Sequence, residues 1–259
     1  MSLYLETRGQ GPALVLLHGW GLNHRVWGEE VVAALAQDFH LHLLDLPGHG
    51  RSPLGAECFT LDAVCRLLDD AALPPRATWL GWSLGGLVAL AMALRAPARV
   101  QGLILLASNP QFVRSPDWPH GMRPEVLQQF AEQLEQDFET TLARFLMLQV
   151  RGEAHARQRL RQLRQRVLAG GQADARALRD GLRILQESRF QAQLAQLDCP
   201  VLWLLGRLDS LVPVSLAGAL RQWLPTARMH VFEHSAHAPF LSQPQDFLTR
   251  IQAFVNTPP

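Results

Sequence analysis

Short runs of apolar residues recur along the chain, separated by longer stretches in which apolar and polar residues follow a helical period. The runs are continuously apolar rather than alternating, which is typical of strands covered on both faces. They predict strands at 13–17, 41–44, 78–80, 102–107, 201–205 and 229–232. Helical patterns at 30–36, 61–72 and 84–95 lie between the earlier runs. This alternation predicts an α/β fold with a mostly parallel, doubly wound sheet.

The alternation stops after residue 107, and residues 125–186 read as one helix after another, rich in Leu, Gln, Glu and Arg. A strand pattern returns only at 201. We therefore predict a core in two parts, 1–112 and 188–259, interrupted by an inserted helical cap at 113–187.

Size and composition fit one main domain. The chain has 259 residues, 48% of them hydrophobic and 18% charged, with a formal net charge of +1. These values predict a compact soluble protein and exclude a disordered chain or one that coats nucleic acid. We separately expect a monomer. The amino-terminal residues lack the pattern of a signal peptide, and no apolar run reaches the ~18 residues of a membrane helix. We expect a cytoplasmic protein without membrane association.

The three cysteines, Cys58, Cys65 and Cys199, show no CxxC spacing. An odd number without such spacing predicts neither a disulfide framework nor a structural zinc site, in keeping with a reducing compartment.

The clearest chemical signal is Gly81-Trp82-Ser83-Leu84-Gly85, a G-x-S-x-G sequence between a predicted strand and a predicted helix. A sharp turn at this junction would present Ser83 above the sheet edge as a nucleophile, with glycines leaving room for neighbouring backbone. The alternative is a glycine-rich turn that contains a serine by chance, which the two flanking elements disfavour.

A serine hydroxyl needs a base to take its proton, and that base needs an orienting acid. Asp209 follows the predicted strand 201–205, and His237 follows the run 229–232, which gives the chain order Ser, Asp, His. Asp209 could instead be an ordinary loop or helix-capping residue. His230, His234 and His237 could also be read as a metal cluster, but Pro239 and the strand-like run argue against a helix there, and no acid or cysteine completes a ligand set.

The remaining part of a hydrolase site is a pair of donors for an oxyanion. The loop His18-Gly19-Trp20-Gly21 follows the first predicted strand, so the Trp20 backbone N–H could act together with the N–H of Leu84. His18 itself is interpreted as structural, holding the loop by a hydrogen bond. A simple turn is the alternative for His18-Gly19.

These motifs, together with 45–52 (DLPGHGRS), resemble the α/β-hydrolase family over nearly the whole chain. More narrowly, the sequences around Trp20, Trp82 and His237, and the segment RFLMLQ at 144–149, resemble the pimeloyl-acyl-carrier-protein methyl ester carboxylesterases of biotin synthesis. The resemblance implies hydrolysis of the methyl ester of pimeloyl-acyl carrier protein to methanol and a free carboxylate. It implies no metal or organic cofactor.

The resemblance also implies a set of substrate-binding residues. They are Trp20, Ser83, Leu84, Phe145, Leu146, Met147, Leu148, Gln149 and His237. Packing in a helix core is an equal alternative for the apolar members of 145–149.

Basic residues concentrate in the cap, where residues 144–183 contain ten arginines and three acidic residues. This stretch could dock the acidic surface of an acyl carrier protein. The candidate residues are Arg144, Arg157, Arg159, Arg161 and Arg164. A solvated helix face is the alternative.

Fold and triad determine chemistry better than they determine the substrate. A general short-chain carboxylesterase, a thioesterase or a carbon–carbon bond hydrolase with the same triad therefore stays open, as does a non-catalytic binding protein on this scaffold. Ser83 at the turn argues against the dehalogenases and epoxide hydrolases of this fold, which use an aspartate nucleophile.

Overall fold

The apolar runs form one sheet of seven strands in the computed structural model, which describes residues 2–55 and 59–256 apart from the side chain of Phe138. The strands are β1 (Leu5–Arg8), β2 (Ala13–Leu17), β3 (His40–Leu44), β4 (Ala77–Trp82), β5 (Val100–Leu106), β6 (Val201–Gly206) and β7 (Arg228–Phe232). Their order across the sheet is β1-β3-β2-β4-β5-β6-β7. Strands β2 to β7 pair in parallel, and β1 pairs antiparallel with β3.

Ten α-helices occur in the described part of the chain. They are α1 (Glu29–Leu35), α2 (Leu61–Asp70), α3 (Leu84–Arg95), α4 (Pro124–Gln136), α5 (Phe138–Leu148), α6 (Ala156–Gly170), α7 (Ala175–Glu187), α8 (Leu216–Trp223), α9 (Pro239–Ser242) and α10 (Pro244–Val255). Helices α4 to α7 follow one another between β5 and β6, where the sequence predicts a cap. The exact limits of that cap, 113 and 187, stay a prediction.

The continuous apolar runs are explained by burial on both faces of the sheet. Along β2, Val15 and Leu17 contribute to one hydrophobic cluster, and Leu14 and Leu16 to another. All four side chains are fully buried. Because successive strand residues point to opposite faces, a strand that is covered on both faces must be apolar at nearly every position.

The parallel pairing of the strands also determines where the candidate catalytic residues lie. Strands β4, β6 and β7 all run in the same direction, so their carboxyl ends lie at one edge of the sheet, where sites of open α/β sheets form. Ser83 directly follows β4, and Asp209 and His237 follow β6 and β7 within a few residues. The fold thus gathers the three candidate catalytic residues.

In the described part of the chain, no helix is both long and apolar enough to span a bilayer. The thiols of Cys65 and Cys199 are free, and Cys58 lies outside the described residues. Burial raises the pKa of the Cys65 thiol to about 12.

Candidate active site

Ser83 occupies a strained turn between β4 and α3. Its backbone has φ 56° and ψ −115°, a left-handed conformation that is costly for a residue with a side chain. Two hydrogen bonds hold it there: the Ser83 N–H donates to the Leu106 carbonyl at 2.9 Å, and the Ser108 hydroxyl donates to the Ser83 carbonyl at 2.8 Å. The strain is therefore fixed by the neighbouring strand β5 and its following loop.

The glycines of the motif make this turn possible. A Cβ atom on Gly85 would collide with the carbonyl oxygens of Leu17 and His18, and one on Gly81 would collide with the Gly85 carbonyl. All of these obstacles are backbone atoms, which cannot move aside as a side chain can. The G-x-S-x-G spacing is thus a packing requirement of the turn.

Asp209 and His237 form a buried pair. The His237 Nδ1 and the Asp209 Oδ2 lie 2.7 Å apart, and both side chains are fully buried. The other carboxylate oxygen, Oδ1, accepts from the N–H groups of Leu211 at 2.8 Å and Val212 at 3.0 Å. The carboxylate is therefore fixed by its own loop and fixes the imidazole in turn.

The main chain of His237 is held on both sides. Its N–H donates to the Gln149 carbonyl at 3.1 Å, and its carbonyl accepts from the Trp82 indole N–H at 2.8 Å. The ring atom Nε2 is buried and has no hydrogen-bond partner in the described part of the chain, Ser83 included. Hydrogen bonds between nucleophile and base are commonly long in ligand-free sites and shorten when substrate binds. This nitrogen is the one available to take a proton.

The loop after β2 lies against the serine. A Cβ atom on Gly19 would be 3.5 Å from the Ser83 Cβ. His18 holds this loop as expected: its Nδ1 lies 2.8 Å from the Gly19 carbonyl and its Nε2 accepts from the Leu46 N–H at 3.0 Å. This pattern requires the proton on Nδ1, and burial lowers the pKa of His18, which favours the neutral ring.

The amide N–H groups of Trp20 and Leu84 have no acceptor among the described hydrogen bonds. Unpaired donors beside a nucleophile are what stabilisation of an oxyanion requires. The oxyanion role of the two N–H groups stays a prediction.

The Trp20 side chain connects this loop to the cap. Its indole N–H donates to the Leu178 carbonyl of α7 at 2.8 Å, and its ring meets Phe130 of α4 and Phe145 of α5 edge-on, with centroids 5.4 and 4.8 Å away. A Cβ atom on Gly181 would lie 2.8 Å from the Trp20 ring. Three cap helices thus pack around one side chain of the core.

A cavity of about 640 Å³ opens from Ser83 beneath the cap. Its wall is mostly apolar. Residues that line it include Ser83, Phe112, Met122, Leu127, Phe130, Phe145, Met147, Leu148, Val150, Leu160, Leu182, Leu185 and Leu211. A cavity of this kind suits an apolar chain with a reactive group at the serine end.

The five candidates from 145 to 149 do not all face this cavity. Phe145, Met147 and Leu148 line it, whereas Leu146 packs with α6 in the other hydrophobic cluster. Leu146 lies about 100° around the helix from Phe145, on the side of α5 that joins this second cluster. Gln149 contacts the candidate base through its backbone, because its carbonyl accepts from the His237 N–H. Its side-chain amide donates to the Phe145 carbonyl at 3.0 Å.

The candidate docking arginines separate in the same way. Arg144 and Arg157 line the cavity with Arg151, which the sequence did not single out, and Arg161 and Arg164 are exposed on α6. Arg159 is turned inward: its guanidinium lies 3.0 Å from the carboxylate of Glu153. Arg159 is therefore engaged within the protein.

The three histidines near the carboxyl terminus do not converge. His230 lies 3.0 Å from the Asp246 carboxylate, and His237 is bound to Asp209. No group of three or more metal-ligating side chains exists among residues 2–55 and 59–256.

Comparison with known proteins agrees with this geometry. Residues 12–244 match the model of the α/β hydrolase fold family. A pimeloyl-acyl-carrier protein methyl ester esterase from Nitrosomonas europaea is 46% identical over 254 residues, covering 97% of this chain and 99% of the relative. The protein of the same name from Serratia marcescens is 47% identical over 255 residues, covering 98% of each. An esterase structure from Exiguobacterium antarcticum superposes with a TM-score of 0.87 at 23% identity, covering 98% of this chain and 96% of that one.

Proposed function

Since the chain belongs to the α/β-hydrolase family, and within it to the pimeloyl-acyl-carrier protein methyl ester esterases, we propose that it hydrolyses the methyl ester of pimeloyl-acyl carrier protein. The products are methanol and the free carboxylate, and the reaction belongs to biotin synthesis. The observation that carries the proposal is the buried Asp209–His237 pair beside the strained Ser83, at the end of an apolar cavity.

In the first half of the reaction, the Ser83 hydroxyl attacks the ester carbonyl as His237 Nε2 takes its proton. Asp209 stabilises the imidazolium that forms. The N–H groups of Trp20 and Leu84 donate to the oxyanion, and each such donor contributes on the order of 3 kcal/mol. The tetrahedral intermediate collapses as the methoxide leaves, protonated by His237, and an acyl-enzyme remains.

In the second half, His237 takes a proton from a water molecule as that water attacks the acyl-enzyme. A second tetrahedral intermediate forms in the same oxyanion site and expels Ser83, which recovers its proton from His237. Ester hydrolysis by this route needs no metal or organic cofactor. Burial of the triad under the cap keeps the charged intermediates in surroundings of low dielectric constant, where the donors act more strongly.

The cavity supports a substrate with an apolar chain between two polar ends. The ester lies at Ser83, and the methylene chain contacts residues such as Phe145, Leu148 and Leu182. The carrier stays outside, on the face where Arg144, Met147 and Arg157 meet solvent. Leu146 contributes to cap packing in this proposal.

The exposed cap arginines are the proposed docking surface for the carrier. Arg144, Arg157, Arg161 and Arg164 remain available for acidic groups of a partner, whereas Arg159 is engaged by Glu153. Charged surfaces of this kind accelerate association and fix orientation.

Replacing Arg157 and Arg161 together by glutamine is expected to reduce kcat/KM for the carrier-linked ester by about 10-fold at low salt, because two attractive charges of the proposed docking surface are lost. Turnover of a small p-nitrophenyl ester should stay unchanged. Arg221→Gln on α8 is the matched control, since this exposed arginine lies outside the cap. An equal loss for both esters, or none for either, would contradict the docking surface.

The substrate itself is tested by comparing kcat/KM for methyl pimeloyl-acyl carrier protein with kcat/KM for the methyl ester of free pimelic acid and for p-nitrophenyl acetate. We expect the carrier-linked ester to be the best substrate by about 100-fold or more, as its remote contacts contribute binding energy. Higher kcat/KM for the small esters would favour a general carboxylesterase.

A cytoplasmic monomer is part of the same proposal. The cavity and all candidate catalytic groups are contributed by one chain. Size-exclusion chromatography with light scattering tests the monomeric state.

A further inference from the structure

The turn between α5 and α6, residues 149–155, reaches from the cap to the catalytic loops. Two of its residues have positive φ: Gly152 at 85° and His155 at 61°. The second is costly for a residue with a side chain, and persists where the surrounding structure holds it. The position of a Cβ on Gly152 is 3.9 Å from the Cβ of Leu208, so the turn lies against the residue that precedes Asp209.

Glu153 projects from this turn into the protein. Its side chain is fully buried, and its Oε1 accepts from the Ala236 N–H at 2.6 Å. Its Oε2 lies 3.0 Å from the guanidinium of Arg159, which also donates to the Ser242 carbonyl at 3.2 Å. Ala236 directly precedes His237, so the carboxylate holds the peptide next to the candidate base.

Burying a carboxylate at this position costs desolvation free energy. Burial raises the pKa of Glu153, and this shift is opposed by the Ala236 N–H, by the Ser242 side chain and by Arg159. An apolar residue of similar size is often no worse for stability than a buried ion pair. The specific contribution of the carboxylate is an acceptor aimed at one N–H beside His237.

We propose that Glu153 is a positioning residue for the catalytic base, fixing the main chain at Ala236 and with it the imidazole of His237. Two successive N–H groups, of residues 236 and 237, are bound by the same cap turn, through the Glu153 carboxylate and the Gln149 carbonyl. The Trp82 indole holds the carbonyl that follows. The geometry of the triad therefore depends on the contact between the cap turn and the His237 loop.

The loop that carries Asp209 is hydrogen-bonded to the same segment, the loop after β7. The Leu208 N–H donates to the Ser235 carbonyl at 2.9 Å, which joins the loop after β6 to the loop after β7. Loss of the acceptor at Ala236 would therefore loosen His237 relative to both Ser83 and Asp209. Displacements near 1 Å at such a site reduce turnover by about 100-fold without removing any reacting group.

The test uses the full chain and p-nitrophenyl acetate, so that carrier docking does not enter. Glu153→Leu removes the acceptor and keeps the volume, and Glu153→Asp keeps the charge but withdraws it from Ala236. We expect both to lower kcat by about 30-fold with KM changed by no more than about twofold. Glu153→Gln keeps an oxygen acceptor and should retain kcat to within about threefold. Glu135→Gln, at an exposed glutamate of α4, is the control and should be unchanged.

The inference rests on the proposed triad chemistry, and its failure can be told apart from failure of that chemistry. If Glu153→Leu and Glu153→Asp fold and turn over at the native rate, the positioning role is overturned while the triad stands. A parallel change of KM and melting temperature, with kcat preserved, would likewise overturn it and leave a structural role. If Glu153→Leu does not fold, Glu153→Asp decides alone. A native protein that hydrolyses neither p-nitrophenyl acetate nor the carrier-linked ester would refute the proposed function itself.

Discussion

Ser83→Ala should reduce kcat for the carrier-linked ester by about 100,000-fold, because removal of the nucleophile eliminates the acyl-enzyme route. The melting temperature should stay within about 3 °C of the native value, since alanine keeps the Cβ atom and the two backbone hydrogen bonds at this turn remain possible. Steady-state kinetics and calorimetry on the same preparations provide both quantities. Labelling by a fluorophosphonate should disappear together with turnover.

The control for this substitution is Ser215→Ala. Ser215 is an exposed serine at the start of α8, and its side chain makes no capping hydrogen bond. It should leave kcat, labelling and melting temperature at native values. If Ser83→Ala retained more than about one hundredth of native kcat in a preparation free of contaminating esterase, Ser83 would not be the nucleophile.

Asp209→Asn should lower kcat by about 10,000-fold near neutral pH, with little change in structure. The asparagine oxygen can still accept from Leu211 and Val212, so the loop after β6 keeps its hydrogen bonds. The amide nitrogen then faces His237 Nδ1 as a donor and forces the ring proton onto Nε2. A protonated Nε2 cannot take the proton of Ser83.

The chain supplies a matched control for this change. His230 and Asp246 form a second histidine–carboxylate pair, 3.0 Å apart and partly exposed, on the strand and helix that flank the catalytic loop. Asp246→Asn should leave kcat unchanged. Equal losses from Asp209→Asn and Asp246→Asn would show that the effect is not specific to the triad.

Most of the sheet could be predicted because its central strands are buried on both faces, which leaves a continuous apolar run in each. Strand β1 was missed. Its sequence, Leu-Glu-Thr-Arg, is only four residues long and has three polar residues, because it lies at the sheet edge and has a partner strand on one side only. A short edge strand has too few buried positions to stand out from a loop.

The candidate triad could be predicted because its chemistry requires particular residue types in a fixed chain order. Details of the cap could not. Leu146 and Phe145 are adjacent and both apolar, and only the orientation of α5 decides which one faces the cavity. The sequence does not distinguish Arg159 from the other arginines of the cap. Its ion pair with Glu153 is visible only in the structure.

The role proposed for Glu153 depends on a contact between residues 83 positions apart. No local pattern encodes that contact, because the cap turn and the His237 loop meet only after the sheet has formed. One sequence feature could have drawn attention to Glu153, which is its negative charge. It is one of three acidic residues among the ten arginines of residues 144–183.

The most direct test of the central claim is methanol release from methyl pimeloyl-acyl carrier protein, measured beside the mass of the carrier, for the native protein and for Ser83→Ala. We expect the native protein to release one methanol for each carrier converted to the free carboxylate, and Ser83→Ala to release methanol about 100,000-fold more slowly. Cleavage at the thioester instead, or methanol release by Ser83→Ala at more than about one hundredth of the native rate, would contradict the claim.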